Sequence, residues 1–246
     1  MALKIKKEYV NKTVGDLAFN SIRAAAGLAL FGFGTYLTIQ ANIGVSPWDT
    51  FSIGLSKTLG ILYGNAAIII SLSLVIIDLL MHERIGIGTL LDAVIVGKTV
   101  DLLNWLNVVK PIENIWLSLA VFFLGMFIQA ASQYLYMRAG LCCGPRDTLQ
   151  VGLARRMPKL GVGTVNIFIQ AVVLIIGYLL GGPIGIGTVL GALVTGVFQN
   201  LIFKFMKFEP RTVIHQSLVG SWKLITGKIK KADEKTEQEN NQETEQ

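Results

Sequence analysis

Charge is what this sequence has least of. Only 15% of its 246 residues are Asp, Glu, Lys or Arg, against about a quarter in a soluble globular chain. That leaves too little polar surface for a water-soluble domain. A mean hydropathy of +0.56 and 52% hydrophobic residues place the chain in a membrane. The two histidines, His82 and His215, are far apart in cytosolic flanks. No HExxH, Walker-type phosphate loop or nucleophile elbow accompanies them, so catalysis is not expected. The two cysteines, Cys142 and Cys143, are neighbours. Adjacent cysteines rarely meet disulfide geometry, and one pair falls short of the four ligands of a structural zinc site. Free thiols, no metal and no cofactor are expected.

The net charge of +6 does not point to nucleic acid. Its basic residues flank apolar runs, as orientation signals do, and no soluble basic domain exists to carry such binding. Six runs are long enough to cross about 30 Å of hydrocarbon: 22–41, 62–81, 87–106, 115–137, 162–181 and 184–205. The first lacks a cleavage pattern and reads as an uncleaved span. With the N-terminus inside, all the Lys and Arg except Lys57, Lys98 and Lys110 fall in or at the edge of the cytosolic segments 1–23, 82–86, 138–161 and 205–246. This obeys the positive-inside rule and predicts cytosolic termini in a plasma-membrane protein.

The chain repeats itself. Gly44-Val45-Ser46-Pro47-Trp48-Asp49-Thr50 is answered by Cys143-Gly144-Pro145-Arg146-Asp147-Thr148-Leu149. Gly27, Tyr36, Leu59-Gly60 and Asn65 align with Gly125, Tyr134, Leu160-Gly161 and Asn166, and Gly97 with Gly196. Ile85-Gly86-Ile87-Gly88-Thr89 returns as Ile184-Gly185-Ile186-Gly187-Thr188. Repeats therefore cover 20–106 and 107–206. Three spans per repeat is an odd number, so the two copies are expected upside down relative to each other. The fold class is all-α transmembrane: six spans as two inverted three-helix repeats, each with a short re-entrant or interfacial helix, 47–59 and 145–157. Residues 1–19 form a cytosolic N-terminal segment, 207–231 a juxtamembrane amphipathic helix marked by Ile214, Leu218, Trp222, Ile225 and Ile229. Residues 232–246 form a disordered polar tail.

The short helices have good start signals. Ser46 and Gly144 stand at the N-cap, Pro47 and Pro145 at the first helical position, Asp49 and Asp147 at the capping-box position. The aspartates suit plain capping, and equally a substrate or ion path lined by two helix ends entering from opposite faces. Thr89 and Thr188 are offered as N-caps whose neighbouring N–H groups would suit an anion, or their glycines simply let helices pack closely. Asp92, Lys98 and Asp101 lie inside the third span, where each charge costs about 2.5–3.5 kcal/mol and needs a partner or water. Lys98 and Asp101 share a helix face and can pair, whereas Asp92 needs a partner elsewhere. The second copy has Gly191, Val197 and Asn200 at these positions. Asp78 sits close enough to its span end to reach water, and Gln129, Gln133, Asn166 and Gln170 suit interhelical hydrogen bonds.

The stretch Gly44–Thr50 followed by Ile85–Thr89 resembles the YczE/YyaS/YitT family of bacterial integral membrane proteins, over roughly residues 20 to 206. The resemblance implies a polytopic plasma-membrane protein and no particular substrate. The expected function is a small secondary transporter of a small molecule or ion, its path lined by Asp49, Asp147, Asp92, Lys98, Asp101, Thr89 and Thr188. The alternative is a regulatory or scaffold protein acting through its basic cytosolic surfaces. The partners expected are the lipid bilayer, the substrate and, if it self-associates, a homo-oligomer.

Overall fold

The computed structural model describes residues 8–9, 13–141, 144–157, 162–208 and 213–226. Expectations for Cys142, Cys143, Leu160-Gly161 and the tail 232–246 lie outside the described residues. Among the described residues the regular structure is helical apart from a two-residue parallel pairing of β1 (Glu8–Tyr9) with β2 (Val213–Ile214). Its helices are α1 (Val14–Gln40), α2 (Pro47–Leu59), α3 (Tyr63–Leu80), α4 (Ile87–Trp105), α5 (Ile115–Met137), α6 (Pro145–Arg156), α7 (Val162–Leu179), α8 (Ile186–Phe205) and α9 (Leu218–Ile225).

Local chemistry sets these limits. Thr13 Oγ1 accepts the Asp16 N–H and Asp16 Oδ2 accepts the Thr13 N–H, both at 3.0 Å. This reciprocal capping box starts α1 eight residues before the expected span. Asn114 caps α5 by accepting from the N–H groups of Trp116 and Leu117.

α1 is the central helix, packed against α4 and α5, with α8 also packed on α5. Small residues bring these backbones together, since lipid tails offer helices no hydrophobic drive to associate. A Cβ on Gly34 would lie 2.7 Å from the Gly125 carbonyl oxygen of α5, and one on Gly32 2.9 Å from Val96 O of α4. α3 packs on α4, α2 on α7 and α3, and α6 on α3 and α7. The loops entering the short helices are pinned by the helices of the opposite half. Gly187 N–H donates to Ile43 O at 2.7 Å, and Gly88 N–H to Leu141 O at 2.8 Å. Gly44 adopts φ +104° against Gly185, whose nitrogen would sit 2.6 Å from any added Cβ, so only glycine fits.

Among the described residues, α1, α3, α5 and α8 are long and apolar enough to cross a membrane. The other two expected spans differ for separate reasons. α4 carries Asp92, Lys98 and Asp101. α7 has 18 residues, Val162–Leu179, and is apolar along Thr164–Leu179, the part whose side chains are described. Many large apolar residues line the bundle's exterior, and Trp105 and Trp116 stand 80% and 78% exposed at adjacent helix ends, where interfacial tryptophans belong.

The expected amphipathic helix 207–231 is shorter and better anchored. α9 covers Leu218–Ile225, and Leu218 N–H donates to Ile85 O while Gln216 N–H donates to Gly140 O, each at 2.8 Å. Leu224 joins Leu17, Leu28, Tyr136 and Leu141 in the core, and Trp222 remains exposed. Intramolecular contacts thus hold α9 against the bundle.

Backbone-to-backbone contact makes a testable demand. A Cβ on Gly54 of α2 would fall 2.5 Å from Gly177 O of α7, whereas one on Gly191 meets only Phe122 Cζ at 3.9 Å. Gly54→Ala is expected to cost about 1–3 kcal/mol through overpacking and to lower the melting temperature in detergent by several degrees. Gly191→Ala should leave it unchanged; equal melts would contradict the contact.

Candidate functional site

The first short helix begins with an extended Ser46 at its N-cap. Ser46 Oγ accepts the Asp49 N–H at 3.3 Å and donates to Asp49 Oδ2 at 2.7 Å. The other carboxylate oxygen, Oδ1, accepts from Tyr63 Oη at 2.8 Å. Asp49 is buried with both oxygens engaged, so it ties the start of α2 to the start of α3 as well as closing its own helix end. Tyr63 carried no sequence signal, because its role depends on a helix fourteen residues away folding back upon it.

The second short helix lacks a capping side chain, since its N-cap is Gly144. Asp92 of α4 stands beside that cap. Its Oδ2 lies 2.5 Å from where a Gly144 Cβ would be, placing a carboxylate near the positive end of the α6 dipole. A Cβ on Gly191, at the matching position of α8, has only Phe122 near it.

Arg146 of α6 lies over the Trp48 ring of α2, its Cζ 5.1 Å from the centroid. These two residues occupy matching positions in the two halves, so the starts of the short helices meet. The same guanidinium acts electrostatically on Asp92, Asp147 and Tyr63. Burial pushes the Asp147 carboxyl above the usual carboxylate range, with Arg146 pulling the other way. One cation thus stands among Asp92 and Asp147, with Asp49 and Tyr63 beyond Trp48. Among the described residues no group of three or more His, Cys, Asp or Glu is arranged to hold a metal ion.

The short helices end on opposite sides. Lys57 Nζ donates to Gly181 O at 2.9 Å and Thr58 Oγ1 to Leu180 O at 3.3 Å, fastening α2 to the α7–α8 turn. Arg155 and Arg156 of α6 both bind Glu83 in the α3–α4 turn, and Arg156 also reaches Met81 O. A cavity of about 350 Å³ opens beside the entrance to α2, lined by Gln40, Asn42, Val45, Ile53, Lys57 and Pro183 among others.

Of the remaining candidates, Asp101 borders this junction through Tyr63, and Thr188 stands beside Gly44 at the entrance to α2. Asp101 Oδ1 accepts the Gly64 N–H at 2.7 Å, and Lys98 Nζ donates to Asn65 Oδ1 at 2.7 Å. The expected Lys98–Asp101 pair exists at 4.0 Å, but both residues serve mainly to hold the first turn of α3. Thr89 and Thr188 are not N-caps. Gly86 and Gly185 hold that position, and each buried threonine hydroxyl accepts the glycine's N–H at 3.3 Å from the third helical residue. The N–H groups of Gly88 and Gly187 are spent on Leu141 O and Ile43 O, which leaves them no capacity for an anion. Asp78, expected to reach water, is fully buried and neither oxygen has a hydrogen-bond partner. Gln129 bonds Thr35 of α1 and Gln133 bonds Gln199 of α8, as interhelical bonds should. Asn166 and Gln170 bond each other within α7.

Residues 20–204 match a family described as a family of unknown function, DUF6198. The chain is 34% identical over 174 residues to the uncharacterized membrane protein YczE of Bacillus subtilis strain 168, covering 70% of this chain and 80% of that one. It is 29% identical over 199 residues to the uncharacterized protein YyaS of the same strain, covering 79% and 96%. An uncharacterized protein of Haemophilus influenzae Rd is 27% identical over 195 residues, covering 78% and 85%. No solved structure matches the chain.

The junction predicts coupled energetics. Arg146→Gln is expected to lower the melting temperature by leaving Asp92 and Asp147 without their shared cation. Adding Asp92→Asn should recover part of the loss, with a coupling of about 0.5–3 kcal/mol in a double-mutant cycle. A coupling of zero would remove Arg146 from the electrostatics of this site.

Proposed function

The chain belongs to the DUF6198 family, and we propose that this membrane protein is a small secondary transporter of a small molecule or ion, built from two inverted three-span repeats in the plasma membrane with both termini cytosolic. The observation that carries the proposal is the meeting of Trp48 and Arg146 at the starts of two short helices whose far ends are fastened to opposite turns. In this orientation the α7–α8 turn is outside and the α3–α4 turn inside. The two short helices are then re-entrant, entering from opposite faces and converging where Asp49, Asp92 and Asp147 gather. Paired broken helices at mid-depth are the usual binding architecture of inverted-repeat transporters. Charges kept inside an apolar bundle are costly, which is why they ordinarily mark a substrate or ion path; the step from this architecture to transport is an analogy at the level of the fold.

The packing supports the repeat. If α1 to α4 correspond to α5 to α8, then α1 on α4 is matched by α5 on α8, α2 on α7 by α6 on α3, and α2 on α3 by α6 on α7. The exchange of Ile43 O for Leu141 O between halves has the same two-fold character.

The scaffold alternative finds less support. Arg155 and Arg156 are spent on Glu83, Arg146 on Trp48, and Arg138 on the Tyr134 hydroxyl at 2.6 Å. The basic 138–161 segment therefore has few charges left for an outside partner.

Sidedness tests the architecture. In a Cys142→Ser/Cys143→Ser background, Leu59→Cys at the end of α2 is expected to react with an impermeant maleimide in intact cells. Met157→Cys at the end of α6 should react only after the inner face is opened. Both sites are exposed, at 54% and 42%. In proteoliposomes screened on solid-supported membranes with amino acids, sugars, organic cations and organic anions, a solute-evoked current that Asp92→Asn abolishes is expected. Reaction of both cysteines from one side would overturn the inverted arrangement. Sidedness as expected with no solute response in any class would leave the fold and sink transport.

A further inference from the structure

The correspondence between the halves fails most plainly between α3–α4 and α7–α8. α3 lies against α4, but α7 is not among the principal neighbours of α8. In the first half the backbones touch at Gly64 and Gly97: a Cβ on Gly64 would fall 2.3 Å from Gly97 O. Asp101 holds the Gly64 N–H and Lys98 holds Asn65 beside that crossing. The matching positions of the second half are free of each other. Nothing lies within 4 Å of a Cβ on Gly196, Val197 is 62% exposed, and Asn166 bonds Gln170 of its own helix.

The two crossings belong to opposite faces. Gly64 begins α3 and Asp101 ends α4, at the ends away from the α3–α4 turn. α7 and α8 are joined by the turn at Gly181-Gly182-Pro183, and their separated ends lie away from it. On the transporter orientation proposed above, α3 and α4 are closed at the outer face while α7 and α8 are splayed at the inner face.

We infer that this structure is the inward-open state of an alternating pair, in which Gly64, Gly97, Asn65, Lys98 and Asp101 form a latched outer gate and Gly196 is the contact point of an unlatched inner gate. In the opposite state α7 closes on α8 at Gly196, as α3 now closes on α4 at Gly97, and the Asp101 and Lys98 bonds part. The asymmetry in sequence sets the resting state. Lys98 and Asp101 have Val197 and Asn200 as counterparts, so only the outer crossing carries charge-assisted hydrogen bonds, the strong kind. Small residues at both crossings allow close approach in either state. Lys98 is half-exposed, so water can replace its bond to Asn65 when the gate opens. This assigns the Lys98–Asp101 pair a gating role at the edge of the binding junction, next to Tyr63.

The test is cross-linking between Asn166→Cys and Val197→Cys in a Cys142→Ser/Cys143→Ser background. The pair should cross-link poorly with the latch intact and about tenfold more with Lys98→Met or Asp101→Ala, the change expected from losing one hydrogen bond to a charged group. Adding Gly196→Leu should cancel that rise by blocking closure. Alone, it should leave the melting temperature unchanged, because its side chain enters open space. Efficient cross-linking with the latch intact, or no response to either latch variant in protein that melts normally, would overturn the gate. The sidedness of Leu59→Cys and Met157→Cys is a separate readout. If those labels stay on opposite faces while the cross-link fails to respond, the gate falls and the transporter architecture stands. If the cross-link responds but both labels share a face, the movement is real and its inside–outside direction is wrong.

Discussion

A helix that ends inside an apolar bundle exposes four backbone N–H groups and the positive end of its dipole where no water can answer them. Two such ends exist here, and the centre of the molecule is arranged around satisfying them. Ser46 does so for α2 from within its own turn. For α6 the cap is a glycine, and the carboxylate of Asp92 arrives from α4. Asp49 beside Ser46 and Asp92 beside Gly144 put negative charge near both ends, and Arg146, laid across Trp48, is the cation that acts on Asp92 and Asp147. Burying one partner without the other would cost several kcal/mol per ion, so these residues are held together by a common necessity.

Glycine makes this arrangement geometrically accessible. Gly44 against Gly185, Gly54 against Gly177 and Gly64 against Gly97 are contacts in which a methyl group would overlap backbone. The first two occur where a short helix or its entry loop touches a long helix, and the third where α3 crosses α4. Bulkier residues would push α2 off α7 and part the Trp48–Arg146 contact. Small residues therefore do more than permit packing in general: they bring the two polar helix ends within reach of each other.

Departures from the two-fold pattern carry meaning of their own. Most packing pairs recur between the halves, while the crossing of α3 with α4 has no equal between α7 and α8. Charged residues follow the same line, since Asp101 and Lys98 stand at the closed crossing and Val197 and Asn200 at the open one. A symmetric backbone plan with an asymmetric set of charges has two arrangements of similar packing but unequal electrostatics. Such inequality gives a two-state element a preferred state.

Much was legible in the sequence. Apolar runs separated by sparse charges place α1, α3, α5 and α8 in the membrane, because hydrophobic length is a local property. The start of α2 follows from Ser46, Pro47 and Asp49, because capping is completed within one turn. Family membership was likewise carried by short contiguous motifs. Other roles were misjudged or invisible for one physical reason. Thr89 and Thr188 sit one turn deeper than expected because glycine took the cap. Tyr63 on Asp49, Asp92 at Gly144, Arg146 on Trp48 and the docking of α9 at Ile85 each join residues that only long-range packing brings together. The sequence by itself determined that the chain is a membrane protein, and with it four of its long apolar helices and the start of α2. Tertiary structure decided which charges face each other, because periodicity and capping act along the chain whereas charge compensation acts across space.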